Sequence, residues 1–244
     1  MEIKSRKGDV IPGPARRTVL RGAVGTGLGS GLTPRAAHAG GGSAPPPLGP
    51  SQKAVLDILL EGNARYVSGK RKAHDLAAAR KDLTQGQRPK TAVIRCADSR
   101  VAPELVFDQS LGELFVCGVA GNIPTAEIMA SIEYAVLNLE TELILVMGHS
   151  RCGAVDAALQ HRDGIDALPG NLPGLLGEIL PSVLRAQQGD GDPLARCIEQ
   201  NARDAAARLS AMSVVVNDAV KAGTVGIASG VYQLETGRFE VSGG

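Results

Sequence analysis

The sequence predicts an α/β fold with a mostly parallel β-sheet flanked by α-helices. Short apolar runs rich in β-branched residues, such as residues 91–96 and 142–148, are typical of buried parallel strands. Segments with apolar residues at helical spacing, such as residues 128–139, lie between these runs. This alternation of strand and helix favours a parallel sheet with helices on its faces.

The predicted elements follow one another along the chain at positions given by hydrophobic periodicity. Helices are expected over residues 52–66, 128–139, 153–159, 172–187 and 198–222. Strands are expected over residues 91–96, 113–119, 142–148 and 224–232. A short last strand, residues 238–241, follows the turn at Thr236 and Gly237 and is expected to pair antiparallel.

Composition indicates one globular domain with an aliphatic core. The chain has 244 residues, of which 43% are hydrophobic, 21% are charged and only 2% are aromatic. A net charge of +1 provides no basic field, and the few aromatic rings provide few stacking surfaces for bases. We therefore expect no nucleic-acid partner.

The first fifty residues differ from the rest and predict export. Arg16 and Arg17 resemble a twin-arginine motif, and a glycine-rich apolar stretch and the small-residue sequence 37–39 follow them. We expect residues 1–39 to be a cleaved signal peptide, residues 40–50 a Gly/Pro-rich linker and residues 51–244 the folded domain. The mature protein would be periplasmic or extracellular, without stable membrane insertion. A disordered basic leader is the alternative.

Two short motifs, each directly after a predicted strand, contain potential metal ligands. Cys96 begins the first motif, and His149 and Cys152 form the second. Two thiolates and one imidazole match a catalytic zinc site, which has three protein ligands and an open fourth position. A disulfide between the two cysteines is the alternative, but it would need neither His149 nor the acidic residue Asp98. Cys117 and Cys197 are expected to be buried small hydrophobic residues.

Asp98 has two candidate partners. As a fourth ligand it would close the zinc site, whereas Arg100, two residues further along an extended segment, projects to the same side and can bind it. An aspartate held by arginine is ionised and oriented, so it can accept a hydrogen bond from water at the metal. We interpret the pair as a gate on the open position. Gly153 begins a predicted helix whose first amide groups can hold an oxygen of an anionic ligand.

At these residues the chain resembles the β-class carbonic anhydrases, which carry a Cys-x-Asp-x-Arg motif and a downstream His-x-x-Cys motif. The resemblance covers nearly all of the chain after its first fifty residues. It includes residues 59–66, 86–90, 120–122, 131–136 and 232–237.

The resemblance implies a zinc enzyme that reversibly hydrates carbon dioxide to bicarbonate and a proton by means of zinc-bound hydroxide. One zinc ion per chain would be held by Cys96, His149 and Cys152. Asp98 would orient the hydroxide, and Arg100 would keep Asp98 from the metal. Two thiolates neutralise the charge of the zinc, so activity is expected to be higher at mildly alkaline pH.

By position in the family motifs, Gln87 matches a glutamine that donates a hydrogen bond to substrate, and Phe115 and Tyr134 match aromatic residues that line the cleft. The family also implies a homodimer or a higher homo-oligomer, with each cleft lined by two subunits. One departure is Gly118, which stands where many relatives carry an arginine before the sequence Ala-Gly-Asn.

Three other functions remain as alternatives. A hydrolase acting on carbon disulfide or carbonyl sulfide could use the same hydroxide. A zinc-binding protein without turnover would have Asp98 permanently at the fourth position, although such a site would need neither Arg100 nor Gln87. A thiol redox protein would call for a Cys-x-x-Cys pair, which the chain lacks.

Overall fold

The computed structural model describes residues 43–243. The predicted signal peptide lies outside these residues. Eight α-helices are described: α1 Pro50–Val67, α2 Leu76–Asp82, α3 Pro103–Val106, α4 Ala126–Asn138, α5 Gly153–Gln160, α6 Leu172–Arg185, α7 Pro193–Met212 and α8 Val214–Lys221. Five strands are described: β1 Thr91–Arg95, β2 Leu114–Gly118, β3 Leu143–His149, β4 Gly226–Tyr232 and β5 Phe239–Val241.

The strands form one sheet in the order β2-β1-β3-β4-β5. The first four strands are parallel, and β5 pairs antiparallel with β4. The predicted mostly parallel sheet with helices on its faces is therefore confirmed, and so is the antiparallel last strand.

Alternate side chains of each strand point to opposite faces of the sheet, as the two-residue period of a strand requires. In β1, Ala92 and Ile94 pack into one apolar cluster with residues of α4, α7 and α8. Val93 packs on the other face, in a cluster with residues of α1 and α3. Leu48, in the segment predicted to be a linker, packs against this second cluster. Both faces are thus covered, which explains why β3 and the middle of β1, residues 92–94, are almost wholly apolar.

A third apolar cluster lies between α5, α6 and α7 and adjoins the carboxyl ends of β1 and β3. Its buried members include Cys96, Cys152, Ile179 and Ile198. Through this cluster the helices that follow the second motif pack against the sheet. Residues of both motifs therefore lie in the same packed core.

The prediction of a single helix over 198–222 is wrong, because the chain breaks at Ser213. Ser213 has extended backbone angles (φ −115°, ψ 118°) between α7 and α8. Its hydroxyl accepts a hydrogen bond from the amide of Val216 at 3.1 Å and donates one to the carboxylate of Glu133 at 2.6 Å. Ser213 is therefore the N-cap of a new helix.

Two short helices were not predicted from periodicity. Helix α2 has seven residues, none of them buried, and α3 has four residues and begins with Pro103. Neither is long enough for apolar residues to recur. Within residues 43–243, no helix combines the length and the apolarity that crossing a membrane requires.

Candidate metal centre

Three side chains converge at the carboxyl end of the sheet. Cys96 directly follows β1, His149 is the last residue of β3, and Cys152 is the N-cap residue of α5. Strands β1 and β3 are adjacent and parallel, so their carboxyl ends meet at one edge. The potential ligand atoms lie within 4.8 Å of one another, and the two Sγ atoms are 3.9 Å apart. All three residues are buried.

The imidazole of His149 is oriented for ligation. Its Nδ1 lies 2.9 Å from the carbonyl oxygen of Ser150, so Nδ1–H donates this hydrogen bond and Nε2 carries the lone pair. Nε2 is buried and has no hydrogen-bond partner among the described residues. A buried nitrogen without a partner costs free energy unless something binds it. A metal ion bound to this lone pair and to the two neighbouring thiols would remove that cost. One imidazole and two thiols form a donor set that fits zinc.

The two thiols interact closely. The contact with Cys152, with 3.9 Å between the two Sγ atoms, lowers the pKa of Cys96, and the neighbouring His149 and the hydrogen bond from the Gly121 amide lower it further. The same contact with Cys96, together with burial, raises the pKa of Cys152. A thiol binds a metal as the thiolate, so a cation at this point would displace the thiol protons and gain two thiolate ligands.

Gly121 takes part in the centre, which sequence reasoning did not foresee. Its amide donates a hydrogen bond to Cys96 Sγ at 3.3 Å. Its φ of +79° suits glycine, and a Cβ atom there would lie 2.5 Å from Cδ1 of Ile179. The amide of Asn201 on α7 holds the Gly121 carbonyl at 2.8 Å. The sequence signal was the stretch 120–122, but nothing in it indicated a contact with Cys96.

Asp98 is bound by Arg100. The guanidinium donates from Nε to Oδ1 at 2.9 Å and from Nη2 to Oδ2 at 2.7 Å, and the amide of Arg100 donates to Oδ1 at 2.9 Å. These hydrogen bonds hold the pKa of Asp98 well below its usual range. Oδ2 is 3.8 Å from Nε2 of His149, so the carboxylate borders the centre. It is not one of the three converging ligands.

The loop between His149 and Cys152 is fastened to the turn after β4. The hydroxyl of Ser150 accepts a hydrogen bond from the amide of Leu234 at 2.9 Å. Arg151 has a left-handed backbone (φ 55°), and its guanidinium lies 2.7 Å from the carboxylate of Glu235. This tight loop brings the imidazole and the second thiol to the same point although two residues separate them.

The other predicted site residues take different positions. Gly153 is the first residue of α5, directly beside Cys152, and has open space where a Cβ would be. Gln87 is exposed in the segment before β1. Phe115 pairs with Ala92 and packs against the first apolar cluster, so it lies about 13 Å along the sheet from Cys96. Tyr134 is 52% exposed on α4. The single chain therefore does not bring Phe115 to the ligands.

Comparisons with known proteins agree with this geometry. The sequence model of the family Pro_CA, described as carbonic anhydrase, matches residues 91–239. A carbonic anhydrase of Mycolicibacterium smegmatis is 36% identical over 189 residues, which cover 77% of this chain and 92% of that protein. Carbonic anhydrase 2 of Mycobacterium tuberculosis is 38% identical, with coverage of 76% and 90%.

The chain belongs to the carbonic anhydrase family. A β-carbonic anhydrase of Coccomyxa, solved in complex with acetazolamide, is a structural relative with a TM-score of 0.60 and 26% identity, covering 76% of this chain and 85% of that chain. A tetrameric β-carbonic anhydrase of Sordaria macrospora has the same fold, with a TM-score of 0.62 at 24% identity, covering 78% and 98%. The predicted β-class fold, the family and the enzyme class are confirmed.

Proposed function

We propose that this carbonic anhydrase reversibly hydrates carbon dioxide at one zinc ion per chain, held by Cys96, His149 and Cys152. The observation that carries the proposal is the convergence of the ligand atoms of these three buried side chains within 4.8 Å, with no hydrogen-bond partner for Nε2 of His149 in residues 43–243. When bound, zinc would act as a Lewis acid and lower the pKa of a coordinated water molecule toward neutrality.

Asp98 orients the attacking oxygen in this proposal. Its carboxylate is ionised because Arg100 donates to both of its oxygens, and it lies 3.8 Å from the ligand nitrogen of His149. An ionised carboxylate only accepts hydrogen bonds, so Asp98 accepts one from the O–H group of the nucleophile. This hydrogen bond turns a lone pair of the nucleophile toward carbon dioxide. Arg100 holds the carboxylate outside the ligand set, which leaves the fourth position free for the reaction.

The first residues of α5 provide a binding place for the product, bicarbonate. Gly153 follows the ligand Cys152, and no atom of residues 43–243 lies within 4 Å of the place of its Cβ, so an oxygen of bicarbonate can approach its backbone. Amide groups at a helix start favour a negative charge. Gln87 is exposed in the segment before β1, and we propose that its amide donates a hydrogen bond to the same anion.

We further propose that the enzyme is a homodimer or a higher oligomer whose cleft is completed by the second copy. Strand β2 is an edge strand, and its residues Phe115 and Val116 are only partly buried. Tyr134 and Leu137, on the helix beside it, are 52% and 66% exposed. An apolar edge of this kind calls for a partner, and in a dimer the aromatic residues can line the cleft of the other subunit. Sedimentation of the purified enzyme tests this, and a monomer at assay concentration would contradict it.

We also propose export by the twin-arginine route to the periplasm or the extracellular space. The support is in the sequence, where Arg16 and Arg17 precede a mild apolar stretch and the small residues 37–39. Replacing both arginines with lysine is expected to retain the protein in the cytoplasm. Unchanged secretion of the lysine variant would refute the twin-arginine route.

Stopped-flow hydration of carbon dioxide, compared with hydrolysis of carbonyl sulfide and carbon disulfide by the same zinc-loaded protein, tests the proposed reaction. We expect hydration to be much the fastest of the three. Faster turnover of either sulfur compound would assign the same centre to a hydrolase. Zinc binding without turnover of any of them would indicate that Asp98 occupies the fourth position.

A further inference from the structure

Arg95 and Gly118 face each other where β1 and β2 end. They are partners in the parallel register of the two strands. A Cβ atom placed on Gly118 would lie 3.3 Å from Cζ of Arg95, 3.5 Å from its Nε and 3.6 Å from its Nη2. The guanidinium therefore lies over β2, in the space that the absent side chain of Gly118 leaves.

The same guanidinium contacts a metal ligand. Nη1 of Arg95 donates a hydrogen bond to the carbonyl oxygen of Cys96 at 2.7 Å. This bond is charge-assisted, which makes it stronger than a bond between neutral groups. Cys96 is thus held at two points, because its Sγ accepts a hydrogen bond from Gly121. Fixing both the backbone and the thiol leaves the residue one orientation toward the centre.

The side chain of Arg95 keeps this position although one of its donors is unpaired. Arg95 is half-buried, and its Nε is buried without a hydrogen-bond partner among residues 43–243. Long charged side chains at the end of a strand ordinarily extend their charged group into water. The side chain of Arg95 instead lies across β2. The hydrogen bond to Cys96 and the space beside Gly118 account for this conformation.

We propose that Arg95 is a positioning residue for the metal ligand Cys96, and that Gly118 is glycine because the guanidinium occupies the place of its side chain. This inference rests on the proposed function, since it requires a metal ion at the centre. Residues that orient a ligand from outside typically contribute about 10- to 100-fold to metal affinity. Arg95 touches neither substrate nor metal in this role.

Zinc affinity of the full-length chain, measured by competition with a chromophoric chelator, provides the test. Arg95→Met is expected to weaken zinc binding at least about tenfold and to change the thiolate-to-cobalt absorption of the cobalt-loaded protein. Arg95→Lys should recover part of both, because an ammonium group can still donate to the Cys96 carbonyl. Arg162→Met, which removes a surface arginine beside Asp163, is the matched control and should leave both readouts unchanged.

Gly118→Val gives an independent test from the other strand. Valine favours strands, so the substitution displaces the guanidinium without weakening β2. It should weaken zinc binding when Arg95 is present and have no further effect in the Arg95→Met background. Wild-type affinity and an unchanged cobalt spectrum in Arg95→Met, or wild-type affinity in Gly118→Val, would overturn the role of Arg95 alone. A wild-type protein that binds no zinc would overturn the proposed function together with this inference.

Discussion

Arg100 binds both carboxylate oxygens of Asp98, at 2.9 Å from Nε to Oδ1 and 2.7 Å from Nη2 to Oδ2. The carboxylate is thereby ionised and turned along the edge of the metal centre, with only 17% of its side chain exposed. To become a metal ligand, Asp98 would have to give up hydrogen bonds of this bidentate pair. The contact therefore favours an open fourth position.

Asp98→Ala is expected to leave zinc bound and to lower the rate of carbon dioxide hydration by about 10² to 10⁴, because the nucleophile loses its oriented acceptor. Zinc analysis and stopped-flow hydration of the same preparation measure both quantities. Asp57→Ala, at a 49% exposed aspartate on α1, is the control and should match the wild type. Full activity in Asp98→Ala would show that Asp98 has no part in the reaction.

Cys152→Ala is expected to bind no zinc, since only one thiolate and one imidazole would remain at the centre. Zinc content after dialysis measures the loss. Cys117→Ala removes another buried cysteine, which lies on β2 outside the group of ligands, and should retain one zinc per chain. One zinc per chain in Cys152→Ala would contradict the ligand assignment.

Gly121→Ala should destabilise the fold and weaken zinc binding. The added methyl group would lie 2.5 Å from Cδ1 of Ile179 in a backbone with φ +79°, so the amide that donates to Cys96 must move. We expect a loss of at least about 1 kcal/mol in unfolding free energy, measured by urea denaturation. Gly177→Ala, in α6, adds a Cβ with no neighbour within 4 Å among the described residues, so it should instead stabilise the fold by about 0.5–1 kcal/mol. Equal stability of both variants would contradict this account.

Asp108 gives the fold a defined dependence on pH. Burial raises the pKa of Asp108, but hydrogen bonds from Arg65, the amide of Lys72 and His74 outweigh burial and lower the pKa to about 2. The pKa of an aspartate in an unfolded chain is about 4. The ionised Asp108 therefore contributes fully to the free energy of unfolding above about pH 4, and this contribution is lost as the pH falls toward 2.

Asp108→Asn is therefore expected to lower the unfolding free energy by about 2 kcal/mol at pH 7, with a smaller difference from the wild type at pH 3. Urea denaturation at the two pH values measures it. The exposed Asp57 on α1 provides the control substitution, Asp57→Asn. A difference between Asp108→Asn and wild type that did not change with pH would show that the Asp108 carboxylate does not contribute through its charge.

Much of the fold and the convergence of Cys96, His149 and Cys152 could be predicted because both depend on local patterns. Apolar runs with β-branching define the strands, and the carboxyl ends of adjacent parallel strands meet, so Cys96 and His149 could be expected to lie together. The break at Ser213 was not visible, since apolar periodicity continues through it and its hydroxyl partner, Glu133, lies 80 residues away.

The residues that support the ligands could not be found in the same way. The amide of Gly121 reaches Cys96 from a loop 25 residues further along, and the loop is held by Asn201 on a distant helix. The packing of the Arg95 guanidinium against Gly118 depends on the pairing of these two residues in the register of β1 and β2, and no local sequence signal indicates that pairing. Such contacts arise only from the folded arrangement.

Zinc content and stopped-flow carbon dioxide hydration, measured together on the purified protein at pH 7 and in a mildly alkaline buffer, test the central claim most directly. We predict one zinc ion per chain and a rate that rises with pH, because two thiolates reduce the acidity of water at the metal. Protein that holds one zinc ion per chain and hydrates carbon dioxide at neither pH would contradict the proposed function.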